Sequence, residues 1–130
     1  MRVLIAEDNS LTLVGLTMML EKLGHDVVAT ASDGEEACQK LLSQKIDLAL
    51  LDINMPKKSG IEVLQTVGKQ ISIPCIFLTA YSDESFIKEA SRSGAVGYII
   101  KPVTEEQLKA QIEISIWQRT RLQQATESAA

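Results

Sequence analysis

Five short apolar runs alternate with five stretches of helical periodicity, and that alternation leaves a chain of 130 residues few folds to adopt. The runs fall at residues 3–6, 27–29, 48–51, 75–78 and 96–100. The clearest is the third, where LALL runs without alternation into Asp52 and is followed by the loop INMPKKSG. Unalternating runs of this length suit strands covered on both faces, and helices between them supply the cover. The expectation is a single α/β domain, (βα)₅, with a doubly wound, five-stranded parallel sheet and right-handed crossovers. A chain of this length buries roughly two thirds of its unfolded surface, enough for one core and too little for a second.

The helical stretches carry their own boundaries. Leu13, Leu16, Leu20 and Leu23 form a stripe stopped by Gly24, with Asn9 or Ser10 as its cap. Ser32 and Glu35 have capping-box spacing before a second helix, and Ile61, Val63, Leu64 and Val67 mark a third. A weakly apolar helix is predicted over 83–92, with Phe86, Ile87 and Ala90. Thr104 and Gln107 form another box, opening a long last helix striped by Leu108, Ile112, Ile116 and Leu122. The second strand, around Val27 and Val28, is read as lying nearer an edge.

Composition excludes some classes. Thirteen Lys and Arg against 17 Asp and Glu give a formal net charge of -4, which argues against direct nucleic-acid binding by this domain. No apolar run approaches the roughly 18 residues of a membrane span, and Glu7-Asp8 interrupts the apolar start, so neither membrane segment nor signal peptide is expected. Cys38 and Cys75 lack metal-site spacing and read as buried thiols in a reducing compartment, which makes a cytoplasmic location the expectation.

The strand ends carry the chemistry. Glu7-Asp8, Asp52, Thr79 and Lys101 each follow an apolar run, and in a parallel sheet those ends share one edge. Singly each has a plain structural reading: Asp52 caps a loop, Glu7 and Asp8 complement a helix N-terminus, Thr79 closes a turn, Lys101 is a solvated charge. Together, clustered carboxylates call for a cation, and oxygen donors without His or Cys suit Mg²⁺ or Mn²⁺ rather than zinc. A lysine beside them fits a dianionic group added between ammonium and metal, with the Thr79 hydroxyl as a further donor. The reaction class suggested is phosphoryl transfer onto Asp52.

The fragments VLIAEDN, LLDINMPKKSG, FLTAY and GYIIKP, in this order and spacing, resemble the receiver domain of two-component response regulators over residues 2 to about 121. The resemblance implies a CheY-like, flavodoxin-like three-layer sandwich with strand order 2-1-3-4-5, residues 1–122 forming the receiver and 123–130 a tail or the start of a linker. It implies a phosphoprotein that takes a phosphoryl group from a histidine kinase or histidine phosphotransfer protein onto Asp52, and not an enzyme turning over external substrates. Asp8 and Asp52 would ligate Mg²⁺ directly, with Mn²⁺ as the alternative ion, Asn54 through its backbone carbonyl and Glu7 through water. Lys101 would bind the phosphate, across a cis bond to Pro102, and Thr79 would complete the catalytic set. Thr79 and Tyr98 would act as a switch altering the face of the fourth helix, fifth strand and fifth helix, and Asn54 with Tyr81 would tune the phosphate lifetime. Read without the family, Tyr98 is a half-buried strand aromatic.

Trp117 and the run IEISIWQRTRLQQ leave two readings open, packing over the base of the domain or a helix serving dimerisation or a following domain. The same run is similar to receivers that precede RNA-binding antitermination domains and to receivers attached to sensory or kinase modules. Three other classes would show different residues. A Mg²⁺ phosphohydrolase would carry a second carboxylate where Asn54 stands, and a flavodoxin-like cofactor binder would need a glycine-rich phosphate cradle in place of Glu7-Asp8. An unphosphorylated docking or dimerisation module would have no use for the intact set of Glu7, Asp8, Asp52, Thr79 and Lys101.

Overall fold

The chain forms β1 (Arg2–Ala6), α1 (Ser10–Lys22), β2 (Asp26–Ala31), α2 (Gly34–Ser43), β3 (Leu48–Asp52), α3 (Gly60–Val67), β4 (Cys75–Thr79), β5 (Gly97–Ile100) and a last helix, Glu105–Ala129. The computed structural model describes residues 1–80, 88, 89, 92, 94 and 97–129, with side chains through residue 118. Of the helix predicted over 83–92, only Lys88, Glu89 and Arg92 are among them, and all three are helical. The five strands are parallel in the order β2-β1-β3-β4-β5, as the resemblance implied, with β2 at an edge.

Both faces of the sheet are covered because successive residues of each strand feed different cores. Leu4, Ala6, Ala49, Leu51, Cys75 and Phe77 pack with Ala37, Cys38, Leu41, Ile61, Leu64 and Val67 of α2 and α3. Val3, Ile5, Leu48, Leu50, Ile76 and Leu78 pack with Leu16, Leu20, Leu108 and Ile112 of α1 and the last helix. That is why the strands read as continuous apolar runs: alternate residues are buried, but on opposite sides. Each fully buried Leu, Ile or Phe contributes roughly 1.5–3 kcal/mol. Cys38 and Cys75 are buried and free, and burial pushes the Cys75 thiol up to about 12.

The helix ends show where sequence spacing was and was not decisive. Asn9 caps α1 by accepting from the Thr12 N–H at 3.0 Å. Gly24, at φ 90°, ends it in a Schellman motif: its N–H donates to Glu21 O and that of His25 to Leu20 O. Thr104 and Gln107 exchange the expected box bonds, 3.2 and 3.3 Å. The expected Ser32–Glu35 box is displaced by one residue. Asp33 is the cap, accepting from the Glu36 N–H at 2.8 Å, and Glu36 reaches back to Ser32. A carboxylate is the stronger acceptor at a helix N-terminus, and both spacings coexist in SDGEE. Ser59 and Glu62 form a further capping box before α3, at a spacing present in the sequence but not singled out there.

In the last helix the stripe departs from expectation after Ile112. Ser115 is fully buried, its hydroxyl bonded to Gln111 O at 2.8 Å, whereas Ile116 is 41% exposed. A helix rotates about 100° per residue, so Leu108, Ile112 and Ser115 stay on one face while Ile116 turns off it. The side chain of Leu122 lies outside those described. The helix continues unbroken through 123–129, where a tail or the start of a linker is expected from the sequence. Trp117 is 60% exposed, so it does not lie buried beneath the domain.

Candidate functional site

Strand register sets the geometry of the site. Ala6 pairs with Leu51, so Glu7 follows β1 beside Asp52, and Thr79 pairs with Ile100, so Lys101 follows β5 beside Thr79. The four positions expected at the strand ends therefore lie on one edge of the sheet, next to the β1–β3 switch point where the chain changes direction across the sheet. Glu7 is 1%, Asp52 5% and Thr79 3% exposed, while Asp8 is exposed.

Two buried carboxylates need a counter-charge, and Lys101 supplies it. Its Nζ stands 2.8 Å from Glu7 Oε1 and 2.8 Å from Asp52 Oδ2. Room for a dianionic group between this ammonium and the acids is the expectation from the sequence; in the structure Lys101 bridges them directly, because burial makes an unpaired carboxylate costlier than a contact ion pair. Asp52 Oδ1 accepts the Asn54 N–H at 3.1 Å. Glu7 Oε2 is buried with no hydrogen-bond partner, the one such side-chain atom among the described residues.

Titration follows from this crowding. Burial, and then the adjacent Asp52 carboxylate, push Glu7 up to about 7 against the pull of Lys101. Burial alone would lower the Lys101 ammonium, but its bonds to Asp52 and Glu7 outweigh that and hold it above its ordinary value.

Glu7, Asp8 and Asp52 each offer a carboxylate oxygen, all within 4.8 Å of one another. An all-oxygen donor set with one buried oxygen lacking a partner fits a hard divalent cation. The Lys101–Pro102 peptide is cis. Tyr98 is 38% exposed on β5, paired with Phe77 of β4, and Tyr81 lies outside the described residues.

Some neighbours of the site were not visible in sequence. Gly60 packs so closely under Asp52 that a Cβ there would lie 2.5 Å from the Asp52 carbonyl oxygen. Leu11, Val14 and Met18 of α1 are 84%, 56% and 65% exposed, and their spacing puts them on one outer face. Beside α1, Thr12, Gly15, Leu16, Met19, Pro102 and Val103 line a cavity of about 430 Å³ that reaches Lys101.

The family model described as response regulator receiver domain matches residues 3–113. The chain belongs to that family. This receiver is 35% identical over 115 residues to the transcriptional regulatory protein PdtaR of Mycobacterium tuberculosis, covering 88% of its own length and 56% of that protein. It superposes on the signal receiver domain of a modulated diguanylate cyclase from Desulfovibrio desulfuricans G20 with a TM-score of 0.83 and 34% identity, covering 91% and 94% of the two chains. It also resembles a chain of the CheX–CheY–BeF3–Mg²⁺ complex from Borrelia burgdorferi, with a TM-score of 0.78, 32% identity and 85% of each chain covered. The receiver spans about half the length of the curated relatives it matches. Receivers act on their own aspartate and are not turnover enzymes on external substrates. Among the described residues no helix is long and apolar enough to cross a membrane.

Proposed function

We propose that Asp52 is the phosphoacceptor of a two-component phosphorelay, taking a phosphoryl group from the phosphohistidine of a histidine kinase or histidine phosphotransfer protein. One observation carries this reading: Asp52 is held between an ammonium and two further carboxylates, so an anion added to it meets the charge of Lys101 on one flank and, on the other, the acidic groups that would hold a divalent cation. An Asp52 oxygen attacks phosphorus, the P–N bond to the donor imidazole breaks, and that imidazole leaves with the electron pair and takes up a proton. The Asn54 N–H and the Lys101 ammonium hold the Asp52 carboxylate oriented before attack. Lys101, already 2.8 Å from Asp52 Oδ2, is within reach of the phosphoryl oxygens once they are attached, and the Thr79 hydroxyl at the neighbouring strand end is their second donor. Mg²⁺, or Mn²⁺, would be held by Asp8, Asp52 and the Asn54 carbonyl, with Glu7 through water. When bound it supplies positive charge to the phosphoryl oxygens.

The Borrelia burgdorferi complex supports the same chemistry, because beryllium fluoride stands in for a phosphoryl group and there accompanies Mg²⁺. The outer face of α1, Leu11, Val14 and Met18, is adjacent on the helix to Thr12, Gly15 and Met19, which line the cavity that reaches Lys101, and it is the footing we assign to the donor protein. Phosphorylation is then relayed by Thr79 and Tyr98 to the face of the helix predicted over 83–92, β5 and the last helix, with Asn54 and Tyr81 tuning how long the phosphate lasts. The output is a second copy of the chain or a following effector segment, reached from the 1–122 receiver through 123–130. The protein works in the cytoplasm, where such kinases present their phosphohistidines.

Incubation with Mg²⁺ and a small acyl phosphate, followed by intact mass, tests the reading. The parent gains one phosphoryl and Asp52→Ala gains none. No gain in the folded parent at saturating Mg²⁺ overturns it in favour of a docking module.

A further inference from the structure

The loop after Asp52 rests on the N-terminus of α2, and the contact depends on one glycine. Lys57 has φ 70°, a conformation rarely adopted by residues with a Cβ. It is the centre of a γ-turn in which the Lys58 N–H donates to Pro56 O at 2.8 Å. Such a turn persists only where its surroundings over-determine it. Here the surroundings are α2. The Gly34 N–H donates to the same Pro56 oxygen at 3.2 Å, and Lys57 Nζ stands 3.7 Å from Asp33 Oδ2 and 3.9 Å from Glu35 Oε2. A Cβ on Gly34 would overlap the carbonyl oxygen and Cβ of Lys58.

Gly34 stands in the first turn of a helix, where any residue fits the backbone and glycine is a cost. Its purpose there is close approach. The base of the loop is already fixed, since the Ile53 N–H donates to Leu78 O at 2.9 Å and the Gly60 N–H to Ile53 O at 3.0 Å. Between base and tip lies Asn54, whose N–H holds Asp52 Oδ1 and whose carbonyl is a proposed ligand of the metal. The exposed ion pairs of Lys57 add little to this hold. The Gly34 contact is what pins the tip.

We propose that Gly34 is a positioning residue: by letting α2 sit directly on the Lys57 turn, it fixes the Asn54 peptide and through it the Asp52 carboxylate. The proposal rests on the reading of Asp52 as phosphoacceptor, and its test separates the two. Gly34→Ala in the full chain is compared with the parent in Mg²⁺ affinity, in phosphorylation rate by a small acyl phosphate at saturating Mg²⁺, and in its thermal melt. The expected result is a cooperative melt, weaker Mg²⁺ binding and phosphorylation slowed roughly ten- to a hundredfold, the scale of a small misplacement of a reacting group. Unchanged Mg²⁺ affinity and rate in a folded Gly34→Ala overturn the proposal.

Amide hydrogen exchange on the parent judges it without any variant. The Asn54 and Lys58 amides should open together with the first turn of α2, at Gly34 and Ala37. Exchange of the loop amides far ahead of those of α2 overturns the positioning role. Should the parent itself gain no phosphoryl group, the reading of Asp52 falls, while Mg²⁺ affinity and exchange still decide whether α2 holds the loop.

Discussion

At the residue scale the site turns on Glu7, whose carboxylate is buried with one oxygen on Lys101 and the other without a partner. Its pKa in the fold, about 7, stands above the 4.5 of an unperturbed carboxyl, so between those values the folded protein binds more protons than the unfolded. The stability this contributes is fully present below 4.5 and is lost as pH rises through about 7. In the absence of divalent ions, the denaturant midpoint of the parent should therefore fall relative to Glu7→Gln as pH is raised from 4.5 to 8, because glutamine does not titrate. Parallel curves for the two proteins would show that Glu7 is not the titrating group. The residues of the site were legible because strand ends in a parallel sheet converge whatever their separation in sequence, which made Glu7, Asp8, Asp52, Thr79 and Lys101 one group. The direct bridge from Lys101 to both acids was not, since side-chain reach and burial are properties of the packed edge and not of spacing.

At the scale of the element, α1 shows why periodicity reveals one face and hides another. Apolar residues occupy nearly every side of this helix, so a stripe through Leu16 and Leu20 can be drawn for the core while Leu11, Val14 and Met18, which are exposed, draw no notice. Exposed apolar residues on one helical face mark a partner surface more often than a structural need. Leu11→Asp should slow phosphorylation by the cognate donor protein by about tenfold or more, as loss of an interface anchor does, and leave phosphorylation by a small acyl phosphate unchanged. Equal slowing with both donors would place the defect in the site instead. For α2 the sequence held two overlapping capping patterns, and only the fold decided for Asp33. The Glu36 N–H it accepts keeps the Asp33 carboxyl below 3.8, so the stability it contributes is present above that pH and is lost as pH falls through its lowered value. Asp33→Asn keeps the cap without the titration. Its denaturant midpoint should drop less than the parent's between pH 5 and pH 2.5. An equal drop would mean that Asp33 carries none of the acid sensitivity.

At the scale of the whole molecule, the acidic edge ties together the ends of β1 and β3, and Lys101 adds β5, so the site spans the centre of a sheet whose two cores fill its opposite faces. A cation site built from the ends of β1 and β3 at once is dismantled only when the sheet itself comes apart. Binding to the native state alone stabilises by about 2.7 kcal/mol at a hundredfold excess over Kd. Mg²⁺ should therefore raise the urea midpoint of the parent at pH 8 without altering the slope of the transition, since the surface exposed on unfolding is unchanged. Asp8 separates this effect from general salt stabilisation. It is exposed, so Asp8→Asn should leave metal-free stability within about 0.5 kcal/mol of the parent, yet it removes one of three clustered carboxylates and should abolish most of the Mg²⁺-dependent shift. A shift of parental size in Asp8→Asn would locate Mg²⁺ binding away from the strand ends, and with it would go the assignment of this edge as a metal-assisted phosphoacceptor site.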